Sequence, residues 1–538
     1  MSDLIFRGAT VIDGTGAAGF TADVSVVDGH IDEVGALGGA SATTVVDARG
    51  LVLSPGFIDL HTHSDFTLTR FPRALTMTAQ GVTTQLTGNC GFSPFPVLPH
   101  RSELLREYSG FLDAGLPWGT WHTAAEFLAI LDGLPLSGNV ACQVGHGSVR
   151  MAAMGFDTGE PAPDQLDAMS AHVADAMAAG AFGISSGLTY APASAATTDE
   201  LVAVAKAAAE AGGFYSTHIR SEATTLVEAV TEALDVGRRA GLPVQISHHK
   251  VMGRANWPKV TETLALVDAA SAAGLDVGLD QYPYTAGSTG LAVVLPRWAL
   301  VGGVAKMRER LADPAQRAAI RAEIAAQRPE DLRAGLRVFE PDTVVIAEAP
   351  DGPLTAYVGL TLTEVARARG QDPVDTALDL LAEAGGEILT IVHGQSEENL
   401  RRIMRHPLTA IASDGWTLSP EAGGRPHPRS YGTYARVLGR YVREEGVLGL
   451  EEAVRKMTSL PARRLGLTDR GVLRPGAAAD LVLFDPASVT DNATFADPHR
   501  FCDGVRTVVV NGVIVVSDGE DTGAVAGTVL RRPGKGAA

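Results

Sequence analysis

The sequence predicts an α/β protein: a (β/α)₈ TIM-type barrel with a small β-sandwich built from both termini and an inserted α/β subdomain. Three observations carry this expectation. Short β segments and turns occupy both ends, apolar strands alternate with Ala-rich helical stretches between them, and one connection is too long for a single helix. At 538 residues the chain also exceeds what one ordinary core requires.

Residues 1–54 read as strands at Leu4 to Ile12, Val24 to Val27, Ile31 to Val34 and Thr44 to Asp47, punctuated by Asp13-Gly14 and Asp28-Gly29. The far end, 467–538, has the same character: Ala479 to Phe484, then Val505 to Val510, the turn Asn511-Gly512 and Val513 to Val516. From Gly523 onward the tail reads as loosely ordered.

Between these ends, residues 55–466 form the expected barrel. Candidate strands end near His61, Thr87, Gly145, Ser185, His218, His248, Asp280 and Ser413, which is the strand count of that fold. Helical stretches at Asp164 to Ala179, Asp199 to Ala211, Leu226 to Ala240 and Val260 to Ala273 separate successive strands. The last connection, from about Gly290 to Thr409, holds a polar helical segment, Val304 to Gln327, and a short apolar run, Val344 to Ala347. We read 290 to about 350 as an inserted lid over the barrel mouth, with Ile388 to His393 competing for the strand count.

Bulk properties exclude some classes. Hydrophobic residues make up 45% and charged residues 20%, and no apolar run is long enough for a bilayer, so a soluble protein without a membrane partner is expected. The N-terminus lacks the basic start and apolar stretch of a secretory signal, which favours the cytoplasm. A formal charge of -18 disfavours nucleic acid, while a local basic pocket remains compatible with a small anionic substrate. Three cysteines, Cys90, Cys142 and Cys502, are too few for a disulfide framework.

The chemistry lies at the strand ends. His61 and His63 are two apart at the end of an extended apolar run, so their imidazoles project to one side and suit a divalent metal. His218, His248 and Asp414 each end another candidate strand, and in a parallel barrel all of these ends meet on the C-terminal face. A lone strand-end histidine is more often structural; four with an aspartate point to a metal site. His249 faces the opposite side of its strand and reads as structural.

This arrangement resembles the amidohydrolase superfamily: His-x-His after strand one, His after strands five and six, Asp after strand eight. The sequence departs from it at strand four, Gly183-Ile184-Ser185-Ser186-Gly187, which has neither the usual lysine nor a glutamate. It offers Cys90 instead, in Thr87-Gly88-Asn89-Cys90-Gly91-Phe92-Ser93. With Thr217-His218-Ile219-Arg220-Ser221-Glu222, Ile246-Ser247-His248-His249-Lys250, Tyr282-Pro283-Tyr284-Thr285-Ala286-Gly287-Ser288-Thr289 and His427-Pro428-Arg429, this resembles the N-acyl-D-amino-acid deacylase (D-aminoacylase) family.

The resemblance implies Zn²⁺ held tightly by Cys90, His218 and His248, and a second, weaker site at His61, His63 and Asp414. It implies hydrolysis of N-acyl-D-amino acids, small molecules, by a metal-activated water. Asp414 is then the general base and acid, or a ligand only. Arg429, Tyr282 and Ser288 would hold the α-carboxylate with Lys250 beside them, and Tyr190 would donate to the oxyanion; each also fits a supporting role. Arg297 would pair with an acidic substrate side chain, or is a solvated rim charge. Two other readings compete: a cyclic amide or ester hydrolase on the same fold, and a barrel that has lost catalysis. Oligomeric state is not encoded in these patterns.

Overall fold

A computed structural model describes residues 2–113, 115–326 and 340–532. All eight expected barrel strands are present: Phe57–Asp59, Val82–Thr87, Asn139–Cys142 continued by Val144–Gly145, Gly183–Gly187, Phe214–His218, Val244–Ile246, Val277–Gln281 and Thr409–Ile411. We call these strands one to eight. Each pairs in parallel with the next, from one to three and from three to eight.

Among the described residues, strands one and eight share no ladder, but the residues that follow them meet at the mouth. Thr62 bridges Gly415, the N–H of Asp414 donates to His61 O at 2.8 Å, and the N–H of His63 donates to Gly415 O at 2.9 Å. The ends of strands one and eight are therefore neighbours. Strand burial is continuous rather than alternating, as a parallel sheet covered by helices demands. The covering helices include Pro163–Ala178, Thr198–Glu210, Leu226–Ala240 and Val260–Ala272, whose small and apolar residues join one large core.

The two chain ends meet in one nine-stranded sheet, where Leu481–Phe484 pairs antiparallel with Val52–Pro55. Asp28 and Asn511, at φ 47° and 48°, each precede a glycine of positive φ, the backbone that tight hairpin turns require. Beneath the sheet lies a separate cluster that includes Phe6, Val24, Leu53, Leu481 and Val509.

One expectation needs correction, and the competing strand assignment falls away. The tail is not loose from Gly523: Ala526 and Gly527 donate to Leu136 O, Leu530 to Val140 O, and Arg532 to Gly180 O. These backbone bonds tie the segment to the barrel beside strand three, a tertiary pairing that local composition does not encode. Pro533 to Ala538 lie outside the described residues. The run at Ile388 to His393 is not a barrel strand either. Leu389–His393 is the middle strand of an antiparallel sheet between Ala286–Gly290 and Val344–Glu348.

That sheet belongs to the connection between strands seven and eight. Its helices, among them Gly303–Ala312, Pro314–Ala326 and Pro373–Ala384, form their own cluster from Leu291 to Ile388, so the packing extends past residue 350. Gln327, the end of the expected polar helix, lies outside the described residues. Among the described residues, no helix is long and apolar enough to cross a membrane.

Candidate metal centre

The expected ligands converge at the mouth. Cys90 Sγ lies 3.3 Å from His61 Nε2 and 3.4 Å from His248 Nε2, and His248 Nε2 lies 3.0 Å from His218 Nδ1. Asp414 Oδ1 is 3.3 Å from both His61 Nε2 and His63 Nε2. Two donors bound tetrahedrally to one ion at about 2.0–2.3 Å stand roughly 3.3–3.6 Å apart, so these separations are those of a shared cation. His218 Nε2 and His63 Nδ1 are buried without a hydrogen-bond partner. The donor set, one thiol with imidazoles and a carboxylate, is the chemistry that zinc selects, and it fits.

Local backbone aims these side chains. Among the described residues, seven non-glycine positions have positive φ, and three are Cys90 (53°), His248 (36°) and Asp414 (52°). This region is unfavourable for residues with a Cβ, and it recurs where a site over-determines the chain. Here it turns the chain sharply after the strand. The N–H of His248 is held by Asp280 Oδ1 at 2.7 Å, and that of Asp414 by His61 O.

The departure at strand four has a steric cause. A Cβ built on Gly187 would stand 1.9 Å from the carbonyl oxygen of Cys90. The loop carrying the cysteine therefore lies in the space that a side chain at position 187 would need, and glycine is what permits the approach.

The electrostatics suit a cation. Burial alone would raise the Cys90 thiol, but His61 and His248 facing it pull it well below its ordinary value. Burial likewise works against the Asp414 carboxylate, and is overcome by Arg429, His61 and His248, so Asp414 stands ionised. Burial holds the His218 imidazole below its usual value, toward the neutral, ligating form.

Two residues singled out for no role by sequence complete the shell. Asp280 Oδ1 lies 3.1 Å from His61 Nδ1, leaving Nε2 for the site, and Asp280 Oδ2 accepts from Gln245. Glu222 Oε1 accepts from Lys250 Nζ at 2.5 Å, and lies 3.2 Å from His248 Nδ1 and 3.7 Å from His218 Nε2. Their signal was position: Asp280 near the end of strand seven, Glu222 four residues after His218.

The remaining candidates divide. Lys250, Tyr190, Tyr282, Ser288 and Arg429 line the same pocket as Cys90, His218, His248 and Asp414. Arg429 Nη1 donates to Asp414 Oδ2 at 2.6 Å, its guanidinium packs on the rings of Tyr282 and Trp416, and its Nε has no partner. Ser288 Oγ is also buried and unpartnered, whereas Tyr282 Oη accepts from Gln395. Tyr190 packs against His218 with ring centroids 5.2 Å apart. Arg297 does not line this pocket; its Nη1 donates to Ser194 O at 3.2 Å. His249 points away, to Thr263 Oγ1 at 3.0 Å.

The amidohydrolase family model matches residues 44–516. The chain belongs to the amidohydrolase family, in its N-acyl-D-amino-acid deacylase branch. It is 38% identical over 534 residues to a D-aminoacylase of Alcaligenes xylosoxydans xylosoxydans, covering 98% of each chain. It is 39% identical to an N-acyl-D-aspartate deacylase of the same organism, covering 99% of this chain and 94% of that one. Among solved structures, the N-acyl-D-glutamate deacylase of Bordetella bronchiseptica, complexed with zinc and a phosphonate mimic of the tetrahedral intermediate, is 35% identical. It superposes with a TM-score of 0.82 over 98% of this chain and 99% of that one.

Proposed function

We propose that this chain is a zinc-dependent hydrolase that cleaves N-acyl-D-amino acids to a carboxylate and a free D-amino acid. The observation that carries the reading is the pocket itself. Cys90, His218, His248 and an ionised Asp414 line it together with Lys250, Tyr282, Ser288 and Arg429. A hydrolysable amide beside an α-carboxylate matches that pairing, and the deacylase relatives support the D configuration.

Cys90, His218 and His248 hold the tight zinc in this reading, and His61, His63 and Asp414 form the weaker site. Cys90 and His248 stand between the two sets, since His61, Cys90, His248 and Asp414 all lie within 4.8 Å of one another. When bound, zinc supplies a Lewis acid that polarises the scissile carbonyl and makes water nucleophilic near neutral pH.

The protein's own groups do the rest. Lys250 and Arg429 hold the α-carboxylate with hydroxyl donors from Tyr282 and Ser288, which fixes the amide carbon near the ligands. Tyr190 donates to the developing oxyanion. Asp414 Oδ1 takes a proton from the attacking water, and the C–O bond forms. The same proton then passes to the amide nitrogen as the C–N bond breaks, releasing the amine. The ion pair to Arg429 keeps Asp414 aimed and charged between turnovers.

The test is a panel of N-acetyl-D- and N-acetyl-L-amino acids with apolar, acidic and aromatic side chains, following amine release by the zinc-loaded protein. D substrates are expected to react. Preference for L substrates, or turnover of a cyclic amide with none of the panel, sinks the reading.

A further inference from the structure

Beside the metal pocket lies a second, larger cavity of about 580 Å³, within the range that holds organic ligands. It opens between the helix Ser102–Tyr108 and the inserted helix Gly303–Ala312. The two spaces share Phe92, Phe111 and Tyr190. These rings pack edge to face, Phe92 to Phe111 at 5.3 Å and Phe92 to Tyr190 at 4.9 Å, so they form a common aromatic wall.

Beyond the wall the lining carries an apolar patch beside the carboxylates of Glu107 and Asp113. Phe156, Ala292, Leu300 and Val304 face this space and are only partly buried, although each packs against a hydrophobic core. Of the charged lining residues, Glu103, Arg106 and Glu387 are exposed, and Glu107 accepts from the N–H of Val304. Arg308 is already bonded to the carbonyls of Ala382 and Glu383. The chamber therefore offers an apolar patch to a ligand, and four acids against two arginines in its lining disfavour an anion there.

The wall borders the metal-ligand candidates directly. Tyr190 packs on His218, and Phe92 on His63 at 6.5 Å, while Lys250 reaches His248 and Arg429 reaches Asp414. In an N-acyl amino acid the acyl chain and the carboxylate leave the scissile amide in opposite directions. With the carboxylate on Lys250 and Arg429, the acyl chain points to the wall.

Resting on the proposed deacylase activity, we infer that the chamber is the acyl-group site, and that the enzyme acts on D-amino acids carrying bulky apolar acyl groups, such as medium-chain or arylacetyl groups. Acetyl would leave the chamber unused. Burying each added methylene there is worth about fourfold, so several would raise kcat/KM by well over tenfold.

The experiment uses the zinc-loaded full chain and one D-amino acid, acylated with acetyl, butyryl, hexanoyl, octanoyl or phenylacetyl. Two chamber-filling variants, Val304→Trp and Ala292→Phe, are compared with wild type, so that misfolding of one leaves the other. The expected result is a rise in kcat/KM with acyl size of tenfold or more in wild type. In the variants this rise is lost, and acetyl turnover stays within about twofold. Acetyl turnover that exceeds octanoyl and phenylacetyl in wild type overturns the inference and leaves the deacylase reading intact. So does an equal loss on every substrate in both variants. A parallel series with acetyl fixed and the D side chain enlarged separates the occupants: if the variants penalise large side chains instead, the acyl assignment is wrong. No turnover of any N-acyl-D-amino acid overturns both readings together.

Discussion

Asp280 Oδ1 lies 3.1 Å from Nδ1 of His61, joining the end of strand seven to the first metal-ligand candidate of strand one. The same oxygen accepts the backbone N–H of His248 at 2.7 Å, where the chain takes its left-handed turn. One buried carboxylate thus sets the tautomer of one ligand and the backbone of another. Asp280→Asn keeps the shape and removes the charge. We expect zinc affinity to fall by about 10- to 100-fold, with the far-UV circular dichroism spectrum unchanged. Chelator competition measures it, and an unaltered dissociation constant would refute the positioning role.

In the proposed function, Cys90 carries the thiolate of the tight site. Cys90→Ser replaces a group that ionises readily beside two imidazoles by a hydroxyl that does not. Removing a ligand costs more than removing a group behind it, so we expect zinc affinity to fall by at least about 100-fold. Metal content after dialysis reads this directly. A full complement of tightly held zinc in the serine variant would show that residue 90 is not a ligand.

Asp414 is assigned the proton transfer. Asp414→Asn leaves Cys90, His218 and His248 in place, and the variant is expected to retain one zinc per chain. Its kcat should fall by about 10²- to 10⁴-fold, the scale of a lost general acid and base. Retained turnover would remove the shuttle role, and loss of all zinc would make the residue a ligand of the tight site.

Glu200 links stability to pH. Buried at the start of its helix, it accepts from His146 at 2.9 Å and from Arg150. Burial pushes its carboxyl up, but the bonds to His146 and Arg150 more than offset this, so its folded value lies below the ordinary 4.5. A depressed folded pKa contributes stability that is present above the unfolded value and lost as pH falls through the folded one. Glu200→Gln should cost roughly 3 kcal/mol near neutrality, and the gap to wild type should narrow as pH drops below 4.5. Denaturant melts at pH 7 and pH 4 test this; a gap of constant size would contradict it.

The sequence by itself determined the barrel, the positions of its eight strand ends and the metal-site candidates His61, His63, His218, His248 and Asp414, because periodicity and strand-end chemistry are local and the fold brings such ends to one face, while Cys90 was singled out by family resemblance. Only the tertiary structure decided the rest. Asp280 and Glu222 became supports through partners far away in sequence or across a turn, the tail was ordered by backbone bonds to the barrel, and Arg297 was placed outside the pocket. The glycine at the end of strand four is the plainest case. In sequence it marks a missing ligand, and in space it is where the Cys90 carbonyl comes to rest, since close approach between distant segments leaves no local pattern to read.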